Sequence, residues 1–197
     1  MKTIGLVPGS FKPYHAGHDK LIRIAASENE EVLVFSSTGD RAKRGEFPIY
    51  GADMQIVIDR FVIPSLPQNV DVISVPVPVS SVYEELQRAE ETGSEDVYTI
   101  YSDAEDILKY TDEALYRVAP KMVENEQVFT RGAQRGEETP QISGTKMREM
   151  LAAGNTKQFA KFLPPAIQGN ASEIIKILKK KQMGEALLRK YVSQFLM

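Results

Sequence analysis

The sequence predicts a three-layer α/β sandwich: a central parallel sheet of about five strands, helices on both faces, and a C-terminal helical extension. Two observations predict it. Short apolar runs alternate along the chain with segments of helical period, and the runs are apolar on nearly every position rather than on alternate ones. Strands of that kind are buried on both faces, which suits a parallel sheet covered by helices.

Taken in order, Ile4-Gly5-Leu6-Val7 reads as a short buried strand, Gly9-Ser10 as a tight turn, and His15 to Ala26 as a helix with Leu21, Ile22 and Ala25 inward. Val32-Leu33-Val34-Phe35 is a second strand, ending at Ser36-Ser37-Thr38-Gly39-Asp40. Strand, helix and strand in this space make one βαβ unit with a right-handed crossover and parallel strands. A helix over Ala52 to Phe61 is closed by Pro64, and Val70 to Val75 is the third strand. Ser81-Val82-Tyr83-Glu84 reads as a capping box that opens a helix running through Ala89 and stopping near Gly93. Asp96 to Tyr101 is the fourth strand. One or two short helices follow between 104 and 127, and Glu126-Gln127-Val128-Phe129 is the fifth strand.

Thr130 to Pro140 sets Arg131 and Arg135 against Glu137 and Glu138, with Gly132 and Gly136 between, and reads as a solvent-facing loop. Beyond Pro164-Pro165 comes a helix from Ala171 to Lys181 and, after Gly184, another from Glu185 to Phe195. Ile174, Ile175, Ile177 and Leu178 face the body, and Lys179-Lys180-Lys181 is a solvated face. There is no internal repeat. The expected organisation is one Rossmann-like domain over 1–165 with the helices of 166–197 packed on it.

A chain of 197 residues buries a full core. Its net charge of -3 argues against a general binder of nucleic acid or of anionic membranes, and leaves room for a local basic pocket for one nucleotide. Without cysteine there are no disulfides, no thiolate catalysis and no cysteine-rich zinc site, as suits a reducing compartment. A single lysine precedes the first apolar run and Pro8-Gly9 follows it, too short for a signal sequence, and no later run approaches a membrane span. The expectation is a soluble cytoplasmic protein; a homo-oligomer is left open.

The chemistry concentrates in two places. His15 and His18, the two histidines of the chain, lie in Gly9-Ser10-Phe11-Lys12-Pro13-Tyr14-His15-Ala16-Gly17-His18, behind the first strand and at a helix start. A helix start offers backbone N–H groups and a positive dipole end, and imidazoles at i and i+3 share one face, so both can point at one anion. Two ordinary helix-capping histidines, or a zinc pair completed by carboxylates, are the competing readings. The second place is Ile142-Ser143-Gly144-Thr145-Lys146-Met147-Arg148-Glu149. Gly144 allows close backbone approach, and Thr145 or Ser143 can cap the helix that carries Met147, Met150 and Leu151. Arg148 then lies in the first turn, where a cation is disfavoured by the dipole unless an anion sits between them. With Lys146 it suggests the second wall of a phosphate site at the carboxyl ends of the strands.

Gly9 to His18 matches the glycine, phenylalanine, proline and histidine-x-glycine-histidine pattern of the nucleotidylyltransferase superfamily, and Ile142 to Arg148 resembles its isoleucine-serine-(serine or threonine)-threonine-x-x-arginine motif. That superfamily includes phosphopantetheine, nicotinamide-mononucleotide and glycerol-3-phosphate nucleotidylyltransferases, and the similarity spans roughly 1–165. Gly144 departs from the pattern by replacing the middle hydroxyl residue.

The resemblance implies transfer of AMP or CMP from a nucleoside triphosphate to a phosphorylated acceptor, with release of pyrophosphate. His18, His15, Lys12 and Arg148 would then be the catalytic residues. Gly9, Ser10, Phe11, Gly17, Ser143, Gly144, Thr145 and Lys146 would bind the nucleotide, and Mg2+ would come with the triphosphate rather than on protein ligands. Acceptor-site candidates are Ser36, Lys43 and Arg44 after the second strand, with Asp40 and Arg41 beside them, and Ser102-Asp103 after the fourth. Glu138-Thr139-Pro140-Gln141 stands where cytidylyltransferases carry arginine-threonine-x-glycine, which favours ATP. The alternative is a nucleotide-binding or sensing module without turnover; a synthetase-like, tRNA-binding protein fits the acidic chain less well.

Overall fold

The computed structural model describes residues 1–134, 136–180 and 184. The strands are β1 (Thr3–Gly9), β2 (Glu31–Ser37), β3 (Val70–Val75), β4 (Val97–Asp103) and β5 (Val128–Ala133). They form one sheet in the order β3-β2-β1-β4-β5, with every neighbouring pair parallel. Successive side chains of a strand leave on opposite faces. In β1, Ile4 and Leu6 enter one apolar cluster and Val7 the other; in β2, Phe35 enters the first while Val32 and Val34 enter the second. This is why the strands read as continuous apolar runs.

Helices α1 (Ala16–Glu28), α2 (Gly51–Val57), α3 (Pro78–Thr92), α4 (Asp112–Val118), α5 (Pro120–Glu124), α6 (Gly144–Ala152) and α7 (Thr156–Lys161) are joined by α8 over 171–180. Ile22 and Ala25 of α1, Met54 and Val57 of α2, Met147 and Leu151 of α6, Phe159 of α7 and Ile174 and Leu178 of α8 share the cluster on one face. Val82, Leu86 and Ala89 of α3, Leu115 of α4 and Met122 of α5 fill the other. The result is the three-layer Rossmann-like sandwich with a C-terminal helical region. No helix among the described residues is long and apolar enough to cross a membrane.

Several boundaries differ from the expected ones, each for a local reason. The expected capping box at Ser81 is not the start of α3. Pro78 occupies the first turn, where its missing N–H costs nothing, so the helix begins a turn earlier, and the Ser81 hydroxyl instead donates back to the Val77 carbonyl at 3.5 Å. α2 does not run evenly to Phe61: it widens into a π-turn over Ile58–Val62 and tightens into a 3-10 turn over Ile63–Ser65. Pro64 lies within that last turn, where a regular helix would ask it for a donor it lacks.

The fifth strand starts later than Glu126, which has φ of 55°, and extends to Ala133, so Thr130 to Ala133 is strand rather than loop. As the sheet edge, β5 tolerates the polar and glycine residues that made this segment read as a loop. Arg135, Lys181 and the helix expected over Glu185 to Phe195 lie outside the described residues. Leu86 is fully buried in α3, so Leu86→Ala removes a core side chain. It is expected to lower stability by about 2–5 kcal/mol in urea unfolding.

Candidate functional site

β1 pairs with β2 as far as Gly9↔Ser36, but its pairing with β4 stops at Leu6↔Ile100. The two strands part where the strand order reverses, and a cleft of about 340 Å³ opens there, at their carboxyl ends. From the first motif Gly9, Ser10, Phe11, Lys12, His15, Gly17 and His18 line it; from the second, Ser143, Gly144, Thr145 and Arg148. Ser102 and Asp103, the last residues of β4, line the opposite side, and Arg41 is the cleft-lining residue from the segment after β2.

Not every candidate is brought together. Lys146, Lys43 and Arg44 are exposed and do not line the cleft. Ser36 is fully buried in β2 away from the lining, and its hydroxyl finds no hydrogen-bond partner among the described residues. Asp106 also lines the cleft and was not singled out from the sequence; Thr139 and Pro140, read there only for their bearing on the choice of nucleotide, line it as well.

The first turn is shaped by close approach. Phe11 takes φ of 50°, a conformation side-chain-bearing residues rarely adopt, and its ring folds back over residue 9. A Cβ at Gly9 would lie 2.4 Å from that ring, so glycine is required there. Lys12 is 3% exposed, and its ammonium donates to the carbonyls of Ser10 at 3.1 Å and Ser37 at 2.5 Å. Burial presses its pKa down to about 8, against the pull of nearby Asp40.

His15 is the N-cap of α1: its Nδ1 accepts from the Gly17 N–H at 3.1 Å, so the neutral ring carries its proton on Nε2. The capping reading and the cleft-lining reading therefore hold together for this residue. The Ala16 N–H donates to the Phe162 carbonyl at 2.8 Å, so two of the first N–H groups of α1 serve the protein itself. His18 stacks on His15 with ring centres 3.6 Å apart, and the rings of Phe11 and Tyr14 stand 5.0 and 5.8 Å away. Aromatic walls on several sides fix its orientation.

The second motif closes on the first. Ser143 caps α6 by accepting from the Lys146 N–H at 3.2 Å. Arg148 then reaches back: Nη1 donates to the Lys12 carbonyl at 2.8 Å and Nη2 to the Thr145 hydroxyl at 2.9 Å. α6 starts at Gly144, so Arg148 stands just past its first turn rather than within it, and the anion beside it is Glu46, whose Oε2 is 2.9 Å from Arg148 Nη2. Burial lowers the Arg148 pKa while Glu46 raises it; the Glu46 carboxyl is held low chiefly by its hydrogen bond from Arg41, with Arg148 adding to it.

Gly144 is part of this junction. A Cβ there would stand 3.0 Å from the Lys12 carbonyl oxygen and 3.1 Å from Arg148 Nη1. The glycine that departs from the family pattern thus admits the contact between the motifs. Gly144→Ala is expected to cost about 1–3 kcal/mol, the scale of overpacking, measured by thermal and urea unfolding. Ligand affinity should fall with it.

No protein-family model matches the chain. No curated protein matches it. Among solved structures, Thermotoga maritima TmcAL bound with alpha-thio ATP is similar at 13% sequence identity with a TM-score of 0.51. The match covers 93% of this chain and 56% of that one, so this chain spans little more than half of that protein's length. What the two share at this identity is the fold.

Proposed function

We propose that the cleft binds a nucleoside triphosphate by its phosphates, and that the bound nucleotide serves nucleotidylyl transfer to a phosphorylated acceptor. One observation carries the reading: two turn-to-helix motifs, far apart in sequence, converge on one cleft at the carboxyl ends of a parallel sheet, bringing Lys12, His15, His18 and Arg148 together. That a protein of the same fold was solved with alpha-thio ATP adds to it.

In the reaction, an acceptor oxygen bonds to the α-phosphorus as the bond to the bridging oxygen breaks, and pyrophosphate leaves with that electron pair. Such chemistry asks for positioning and charge more than for a protein nucleophile. His18, held by its aromatic neighbours, donates to the α-phosphoryl group and bridging oxygen; His15 donates from Nε2. Lys12 and Arg148 supply charge, and the backbone of Gly9 to Phe11 and of Ser143 to Thr145 supplies donors. Mg2+ would come with the triphosphate, held by its oxygens and by water.

A specific observation favours the second reading, a binding or sensing module without turnover. Lys12 and Arg148 are already engaged by the protein's own carbonyls and by Glu46, as structural cations are. Incubation with each labelled NTP and a panel of phosphorylated acceptors separates the two: pyrophosphate release supports transfer, and binding by calorimetry without release with any acceptor supports the module.

If His18 stabilises the transferring group, His18→Ala lowers turnover by about 100-fold or more. The fold should stay within roughly 1 kcal/mol of the parent, because the ring lies at the cleft wall rather than in a core. Parent-rate turnover by the folded variant would remove His18 from this role. A pH dependence follows from Lys12. Its pKa of about 8 in the free protein means the ammonium discharges as pH rises through that value, and an anionic ligand binds the charged form better. Triphosphate affinity is expected to decline above about pH 8 with net proton uptake on binding, and Lys12→Met is expected to flatten that limb in calorimetry across pH 7 to 9.

A further inference from the structure

Arg148 is nearly withdrawn from solvent, with 6% of its side chain exposed, yet it lines the cleft together with Arg41. One carboxylate joins the two guanidinium groups. Glu46 Oε2 is 2.9 Å from Arg148 Nη2 and 3.2 Å from Arg41 Nε, and Oε1 is 3.4 Å from Arg41 Nη2. A carboxylate shared in this way, two nitrogens of Arg41 and one of Arg148 upon it, has the charge and oxygen spacing of one edge of a phosphate.

Glu46 is not part of a rigid element. It comes from the loop between Arg41 and Ile49, whose base is closed by paired backbone hydrogen bonds of 2.8 and 2.9 Å. Gly45 before it has φ of 83° with open space around it, and residues 42–45 are exposed. Phe47 after it packs on the core, with Lys179 of α8 6.0 Å from its ring centre. With the loop pinned at 47 and at its base, the Glu46 side chain is 26% exposed, and a change of its rotamer alone would take the carboxylate off the arginines.

We propose that Glu46 holds the place of a ligand phosphate: in the free protein it neutralises Arg41 and Arg148, and a polyphosphate ligand displaces it. This rests on the reading of the cleft as a phosphate site and adds its regulation. With Glu46 in place, a phosphate at the two arginines would meet a like charge at close range. Without any anion, Arg148 would be a buried charge lacking its partner. The exchange resolves both. The apparent affinity of the site is then lowered by the fraction of molecules in which Glu46 is home.

The test is calorimetric titration of the full chain with inorganic tripolyphosphate and with ATP, for the parent, Glu46→Gln, Arg148→Met and the double variant. Glu46→Gln is expected to tighten tripolyphosphate binding by about 10-fold, the scale of a close charge pair, while lowering the Tm of the ligand-free protein. In the Arg148→Met background the same change should move affinity by less than about twofold, because the guanidinium that the carboxylate occupies is then gone. Arg41→Met serves as the background if Arg148→Met does not fold. Equal or weaker binding by Glu46→Gln, with the parent binding normally, would show that Glu46 only orients the arginines and overturns the proposal. An equal gain with and without Arg148 also overturns it, as the field of a lost charge. If neither the parent nor Glu46→Gln binds either ligand, the phosphate-site reading itself fails.

Discussion

The bond from Arg148 Nη1 to the Lys12 carbonyl holds the cleft in its shape. It joins residues 136 apart in sequence, and its ionised donor makes it stronger than a neutral hydrogen bond. The turn it reaches contains Phe11 in a left-handed conformation and Lys12 with its ammonium turned onto two carbonyls. Neither is a conformation a free loop would keep. The arginine can approach because position 144 has no side chain, and it can stay charged under burial because Glu46 lies against it. Geometry and electrostatics at this point are one arrangement.

A cation placed in this way has two partners to choose between. The protein supplies carbonyls and a carboxylate; a ligand supplies phosphate oxygens. Lys12 and Arg148 are both held by burial away from their ordinary titration, and both are tied to internal acceptors. Their charge is therefore oriented before a ligand arrives, and part of it is already spoken for. On the opposite wall stand Asp103 and Asp106, with Asp103 Oδ1 accepting from the backbone N–H groups of residues 105 and 106. The cleft is basic toward the two motifs and acidic toward β4.

The alternation of apolar runs and helices made the sheet legible, because parallel strands buried on both faces leave a continuous hydrophobic signature. Both motifs were legible as turns feeding helices, and most of their residues meet in the cleft. Boundaries were less so. Ser81 to Glu84 carries a sound capping pattern, but Pro78 sits upstream with a stronger claim to the first turn. β5 was cut short because an edge strand need not be apolar. Glu46 left no signal: an acidic residue in a basic loop looks like solvated charge, and only the fold sets it against an arginine a hundred residues away. Lys146 shows the converse, since a lysine within the second motif is exposed while Arg148, two residues on, is buried.

The parting of β1 from β4 after Leu6 gives β1 two characters along its length. It is a central strand for its first half and, on the side of the cleft, an open margin for the rest. An open margin in the middle of a sheet invites an extended chain to add itself there. Pro8 falls on that stretch and lines the cleft. A proline inside a central strand would ordinarily be out of place, since it cannot donate to a ladder. Here the ladder toward β4 has already ended, and the ring blunts the margin, leaving the gap to small ligands rather than to another strand.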